Sequence, residues 1–87
     1  MLTYTAMYKE VDGGVHAEVL DFPGVISQGK TIEHARKMIK DALCLMAEHK
    51  LELGESLPLP NGRAKDKKAV LIEAIRLKIG ARVANVP

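Results

Sequence analysis

The order of apolar and polar positions in the first part of the chain predicts a β-hairpin. Residues 2–10 are rich in Thr, Tyr and apolar types, which favour strands. Residues 15–20 read VHAEVL, and the first, third and fifth of these share one face of a strand. We expect that face to pack against a helix and the other to face solvent or a partner. The sequence DGG at positions 12–14 supplies the turn between the two strands.

A second turn follows at Asp21-Phe22-Pro23-Gly24. Pro23 cannot donate a ladder hydrogen bond, and Gly24 tolerates a positive φ, so this stretch should end the second strand and reverse the chain. Residues 25–28 then form a third strand, which Gly29 ends. The first third of the chain is thus predicted to be a three-stranded antiparallel meander.

The next segment carries the pattern of a long amphipathic helix. Thr31 stands at the N-cap position, Glu33 lies near the positive end of the helix dipole, and Gly54 is the expected C′ residue. Burying the apolar face would contribute on the order of 10–20 kcal/mol, so packing on the sheet determines this helix. The positions predicted to form that face, with three flanking residues, are Ile32, Ala35, Ile39, Ala42, Met46, His49 and Leu53, with Met38, Leu43 and Leu45.

The last third of the chain begins with Leu57-Pro58-Leu59-Pro60, which forces an extended or turning path. Residues 69–79 fit either a helix or a strand. We favour a strand, because a fourth strand extends the sheet whereas a helix would leave three strands carrying a thin core. The predicted class is therefore α+β, with order βββαβ and a three- to four-stranded antiparallel sheet packed against one long helix. Residues 1–80 are predicted to form one domain and residues 81–87 a C-terminal tail.

Size and composition add two expectations. A chain of 87 residues with only 3% aromatic residues builds a modest aliphatic core, so we predict a homo-oligomer, a dimer or a tetramer. The balance of 13 basic and 11 acidic residues, net +2, is not that of a dedicated nucleic-acid binder, so DNA binding is not expected. The single cysteine, and the lack of a secretory signal or a long apolar run, favour a cytoplasmic protein.

No catalytic, metal or cofactor signature is present in the sequence. Cys44 has no neighbouring base, and the spacing of the three histidines matches no metal site. His49 is expected to pack on the apolar face of the helix. The acidic residues that could converge at one sheet edge for metal-dependent hydrolysis are Glu10, Asp12, Glu18 and Asp21.

Two of these features also have simpler interpretations. Asp21 can accept backbone N–H groups within its own turn, and turn carboxylates are usually solvated. The connector that carries Arg63, Lys65, Lys67 and Lys68 is expected to be a solvated linker, since no aromatic residue near it could stack on RNA bases.

The motifs together resemble those of the HicB family of antitoxins and HicB-like proteins. The resemblance rests on a Gly-ended hairpin, the run LDFPGV, the run QGKTIEHA and a PLP after the helix, and it covers about two-thirds of the chain. Leu20, Lys30 and His34 depart from the residues usual in the family. The matched positions, interpreted as structural, are Gly14, Asp21, Pro23, Gly24, Gly29, Thr31, Glu33, Ala35, Pro58 and Pro60.

This resemblance implies a trimmed ribonuclease H-like fold without catalytic carboxylates, in a non-enzymatic antitoxin that masks a HicA-type ribonuclease toxin. Many relatives continue into a DNA-binding segment, and the eight residues after Ile79 do not fit one. The exposed residues expected to contact the toxin are His16, Glu18, Asp21 and Phe22. The alternatives are an orphan RNA-binding or regulatory module that uses the basic residues 63–68 with Arg76 and Lys78, and a residual metal-dependent nuclease.

Overall fold

The computed structural model describes residues 2–78 and confirms the predicted α+β arrangement. The four strands form one antiparallel sheet in the order β3-β2-β1-β4, so the C-terminal element is a strand, as predicted. Ile79, the predicted domain boundary at residue 80 and the predicted tail lie outside the described residues. The elements are β1 (Thr3–Val11), β2 (Gly14–Val19), β3 (Ile26–Gly29), α1 (Ile32–Glu52) and β4 (Leu71–Arg76).

Both ends of α1 are capped by the residues expected from the sequence. The Thr31 hydroxyl accepts the backbone N–H of His34 at 3.1 Å, as an N-cap residue does. At the other end Gly54 has φ +75° and donates to the carbonyl of Leu51, while Glu55 donates to the carbonyl of Lys50. This pair of bonds is a Schellman motif, so the helix ends where a residue free to adopt positive φ follows it.

The core lies between α1 and one face of the sheet. The helix buries Ala35, Ile39, Leu43 and Ala47, a row of residues spaced by four. The sheet contributes the alternating apolar residues of β2, as predicted, and the three even-numbered residues Tyr4, Ala6 and Tyr8 of β1.

The predicted apolar face of the helix is wrong at several positions. His49 is exposed rather than packed, Leu53 is 60% exposed, and Met38 and Leu45 are also exposed. Met38 and Leu45 lie beside the buried row of α1 and not on it. For His49 and Leu53 the physical reason is length: a helix of 21 residues is about 31 Å long, whereas a six-residue strand spans about 20 Å. The last turns of α1 therefore extend past the sheet that the first turns cover.

Strand β1 is buried on both faces. Thr5 and Met7 lie on the face opposite the helix, and both are buried. On the same face the Thr5 hydroxyl oxygen lies 3.3 Å from the Asn61 carbonyl oxygen, and the Lys9 ammonium lies 3.2 Å from a carboxylate oxygen of Asp66. The connector between α1 and β4 thus crosses the outer face of β1, and Met7 lies beneath its path.

This arrangement corrects the prediction of a solvated linker. The connector is anchored at Asn61 and Asp66, and Leu57 at its start packs against the core. Its basic side chains do remain exposed, at Arg63, Lys65, Lys67 and Lys68. In the part of the chain that the structure describes, no helix is long and apolar enough to cross a membrane.

Candidate protein-binding site

The residues predicted to contact a partner divide into two pairs. His16 and Glu18 lie on the face of β2 opposite the helix, partly exposed, with His16 Nε2 3.3 Å from Glu18 Oε1. Strand β3 places Gln28 opposite His16 and Ile26 opposite Glu18, and both β3 side chains are exposed, Ile26 by 55%. We call these four residues the outer β2–β3 face. It combines an apolar side chain, a carboxylate, an amide and an imidazole.

Asp21 is not a surface residue. It is 8% exposed, and one carboxylate oxygen accepts the backbone N–H of Thr5 at 2.7 Å while the other accepts the backbone N–H of Asn61 at 2.7 Å and the Thr5 hydroxyl at 3.2 Å. Strand β2 ends at Val19, so the carboxylate takes over the acceptor position that the ladder would have provided for Thr5. The exposure predicted for Asp21 is therefore wrong, and its carboxylate joins β1, the turn and the connector.

Phe22 is fully buried, which also contradicts the exposure predicted for it. Its ring packs against that of Tyr4 with centroids 5.2 Å apart and a tilt of 57°. The Tyr4 hydroxyl donates to the carbonyl of Pro58 at 2.6 Å, so this aromatic pair also fixes the start of the connector. Burial, with a smaller effect of the Asp21 charge, raises the pKa of Tyr4.

The glycines of the motif allow close backbone approaches. A Cβ on Gly29 would lie 2.4 Å from the backbone nitrogen of Ala35, and one on Gly14 would lie 2.6 Å from the carbonyl oxygen of Gly29. Gly24 has φ +90° in the turn after Phe22. The motif residues therefore place β3 against the first turn of α1 and shape the turn before it.

A polar cluster that the sequence reasoning missed joins β1, α1 and β4. The Tyr8 hydroxyl donates to Glu73 Oε1 at 2.8 Å, and Arg36 donates to both Glu73 oxygens, at 2.7 and 3.2 Å. The Arg36 guanidinium lowers the pKa of Glu73, and Glu73 in turn raises the pKa of Arg36. Burial, together with the bond to Glu73, raises the pKa of Tyr8. The sequence did contain a signal for this cluster: Glu73 is a charged residue at a position of β4 that faces the helix, where its neighbours are apolar.

The geometry gives little support to the chemistry considered from the sequence. Within residues 2–78 no group of three His, Cys, Asp or Glu side chains could hold a metal ion. Asp21 is engaged with backbone groups, and Glu18 faces His16 on the open side of the sheet. The Cys44 thiol donates to Glu48 Oε1 at 3.1 Å on the helix.

Comparison with known proteins finds a likeness among solved structures, whereas comparison by sequence finds none. No protein-family model matches the chain, and no curated protein does. The crystal structure of the N-terminal domain of the Burkholderia pseudomallei antitoxin HicB superposes with a TM-score of 0.69 and 25% identity, covering 88% of this chain and 99% of that one. The chain therefore shares the fold of the HicB N-terminal domain, and it is called a HicB-like domain below.

Two further structures extend the comparison of this HicB-like domain. The Burkholderia pseudomallei antitoxin HicB matches it with a TM-score of 0.74 and 25% identity over 92% of the domain, which spans 66% of that antitoxin chain. A chain of a HicA3 and HicB3 toxin–antitoxin complex has the same fold, with a TM-score of 0.67, 16% identity and coverage of 88% and 99%. The family resemblance predicted from the motifs is thereby confirmed.

Proposed function

We propose that this HicB-like domain is a non-enzymatic, cytoplasmic antitoxin-type module that binds and masks a small ribonuclease of the HicA type. The observation that carries the proposal is the likeness to the N-terminal domain of the antitoxin HicB over 88% of the chain at 25% identity. The likeness to a chain of a HicA3–HicB3 complex supports a HicA-type partner.

The outer β2–β3 face is the proposed contact surface. The opposite face of the sheet packs against α1, and the connector crosses the outer face of β1, which leaves the outer side of β2 and β3 open among the described residues. Ile26 offers an exposed apolar anchor, and Glu18 offers a carboxylate that complements the basic surface with which a ribonuclease holds RNA. In this proposal Asp21 and Phe22 position the turn between β2 and β3 and do not touch the partner.

The test is co-expression of the domain with the HicA-type protein encoded by the neighbouring reading frame. We expect the two to purify together and the ribonuclease activity of the toxin to be suppressed. Glu18→Arg should weaken the complex by about tenfold or more, because it places a positive charge against a basic surface. Glu52→Arg makes the same charge change at an exposed position of α1 and should leave the affinity within about twofold. A wild-type domain that neither co-purifies with the toxin nor inhibits it would overturn the proposal.

RNA binding is the second candidate. The observation in its favour is that exposed basic side chains lie both in the connector, which crosses the outer face of β1, and at the end of the neighbouring β4 and just after it. They are Arg63, Lys65, Lys67, Lys68, Arg76 and Lys78. The three aromatic residues of the chain, Tyr4, Tyr8 and Phe22, are fully buried, so none is available to stack on an unpaired base. Binding would then rest on phosphate contacts.

If the domain binds RNA, its affinity should fall steeply as the salt concentration rises. Changing Lys65, Lys67 and Lys68 to Gln together should lower the affinity and reduce this dependence on salt. Changing Lys30, Lys37 and Lys50 to Gln provides a control with the same net charge. If RNA shows no binding at low ionic strength, this function is excluded.

A further inference from the structure

We propose that the free edge of β4 pairs with β4 of a second copy of this chain, which gives a dimer with one continuous eight-stranded antiparallel sheet. In the described part of the chain β4 is an end strand, paired with β1 on one side only. The other end strand, β3, is four residues long and packs against α1, so it offers fewer free backbone groups. An end strand of six residues without proline is a template for a further strand.

The hydrogen-bond pattern defines which groups are free. Leu77 donates to the carbonyl of Leu2, the residue directly opposite it in the β1–β4 register. Since the bonding direction alternates along a strand, the odd-numbered residues of β4 face β1 and the N–H and C=O groups of Ile72, Ala74 and Arg76 face outward. The N–H and C=O groups of three alternate residues are thus free to bond with a partner strand.

Exposed side chains near the beginning of β4 are apolar, whereas those near its end are basic. Val70 and Ile72 at its beginning are 57% and 41% exposed, whereas Arg76 and Lys78 at its end are basic. A twofold axis through Ala74 places Ile72 opposite Arg76 of the second copy. The exposed Ile72 side chain would then be covered by the aliphatic stem of Arg76, with the guanidinium left in water.

Charge selects this register over its neighbours. A twofold axis at Glu73 would place two carboxylates directly opposite each other, which is destabilising. An axis at Ile75 would make the two Arg76 side chains diagonal neighbours, which is also unfavourable. With the axis at Ala74, Glu73 lies opposite Ile75, and the two Glu73 side chains are only diagonal neighbours, which are further apart than directly opposite residues, while each stays paired with Arg36 of its own chain. The segment is complementary to itself in this arrangement, so we assign the edge to a second copy.

Disulfide cross-linking tests the register directly, in the full chain carrying Cys44→Ser. Residues in a hydrogen-bonded antiparallel pair have Cα atoms about 5.5 Å apart, within the range of a disulfide. Ala74→Cys should therefore form a disulfide-linked dimer under mild oxidation. Ile72→Cys and Arg76→Cys should each remain monomeric under denaturing, non-reducing conditions, and an equimolar mixture of the two should give the cross-linked dimer. Gln28→Cys, on the other end strand, is the control and should not cross-link.

Sedimentation of the chain without any cysteine substitution provides the second measurement. Ala74→Lys should raise the dimer dissociation constant by about fivefold, because it places two like charges opposite each other. Gln28→Lys adds the same charge on β3 and should leave the constant unchanged. Two results would overturn the proposal: a wild-type chain that remains monomeric at every concentration tested, or an Ala74→Cys variant that cross-links no faster than Gln28→Cys.

Discussion

The Asp21 carboxylate accepts the backbone N–H of Thr5 at 2.7 Å, just past the end of β2. A second oxygen holds the backbone N–H of Asn61, forty residues further along the chain. One side chain therefore completes the ladder of the central strand and fixes the connector that crosses it. This relationship gives Asp21 a structural role, which the next prediction tests.

Asp21→Ala should destabilise the domain by about 2–4 kcal/mol, because it leaves the N–H groups of Thr5 and Asn61 without their acceptor. Urea unfolding followed by circular dichroism measures the change. Asp12→Ala removes a carboxylate from an exposed turn and should cost less than about 0.5 kcal/mol. Equal effects of the two substitutions would contradict the role assigned to Asp21.

Phe22→Leu tests whether Phe22 acts through the core. The smaller side chain should cost about 1–1.5 kcal/mol, since the ring is fully buried against Tyr4. Under conditions where the variant is folded, we expect its affinity for a HicA-type partner to stay within about twofold of the wild-type value, as measured by calorimetry. A tenfold loss of affinity in the folded variant would instead make Phe22 part of the contact surface.

Gly29→Ala should destabilise the domain by about 2 kcal/mol or more. The added Cβ would lie 2.4 Å from the Ala35 nitrogen and 2.8 Å from its Cα, and both are backbone atoms of the first helical turn that cannot move independently. Gly62→Ala is the matched control, because no atom lies within 4 Å of its added Cβ and its φ is not positive. That substitution should be neutral or stabilising by up to about 1 kcal/mol, and thermal unfolding distinguishes the two.

The ion pair between Glu73 and Arg36 should make the stability of the domain fall in acid. Arg36 lowers the pKa of Glu73 in the folded state below its ordinary value of 4.5, so the folded state favours the charged carboxylate. Its contribution is complete above that value and is lost as the pH falls through the lowered pKa of the folded state. Glu73→Gln should therefore cost about 1 kcal/mol at neutral pH and flatten the dependence of the unfolding free energy on pH below about pH 4.5. Glu52→Gln, at an exposed position, should leave the slope as it is in the wild type.

The strands and the helix were predictable because their signals are local. Alternation in β2, the Pro23-Gly24 turn and the Thr31 cap each depend on neighbouring residues, and the structure places all of them as expected. The strand at 71–76 could be predicted only with an argument about the size of the sheet, because the apolar positions there fit the periodicity of a helix as well as that of a strand.

The buried role of Asp21 and the course of the connector could not be predicted in the same way. Both depend on Thr5 meeting Asn61 across 56 residues, which no local pattern encodes. One signal was present: residues 4–8 read YTAMY, with no charged residue on either side of the strand, as expected of a strand covered on both faces. For the helix, the error at His49 and Leu53 arose because periodicity gives the direction of a face and not the length of the sheet beneath it.

The pairing of the central strand with the last strand has a consequence for the order of events during synthesis. Thr3 pairs with Arg76, so the N-terminal strand cannot gain its second neighbour until nearly the whole described chain has left the ribosome. Until then the nascent chain can form the meander and the helix, but β1 lacks its second neighbour. Completion of the fold is therefore a late event that follows translation of β4, and a ribosome that stalls before residue 71 would hold an open sheet whose central strand has an unpaired edge.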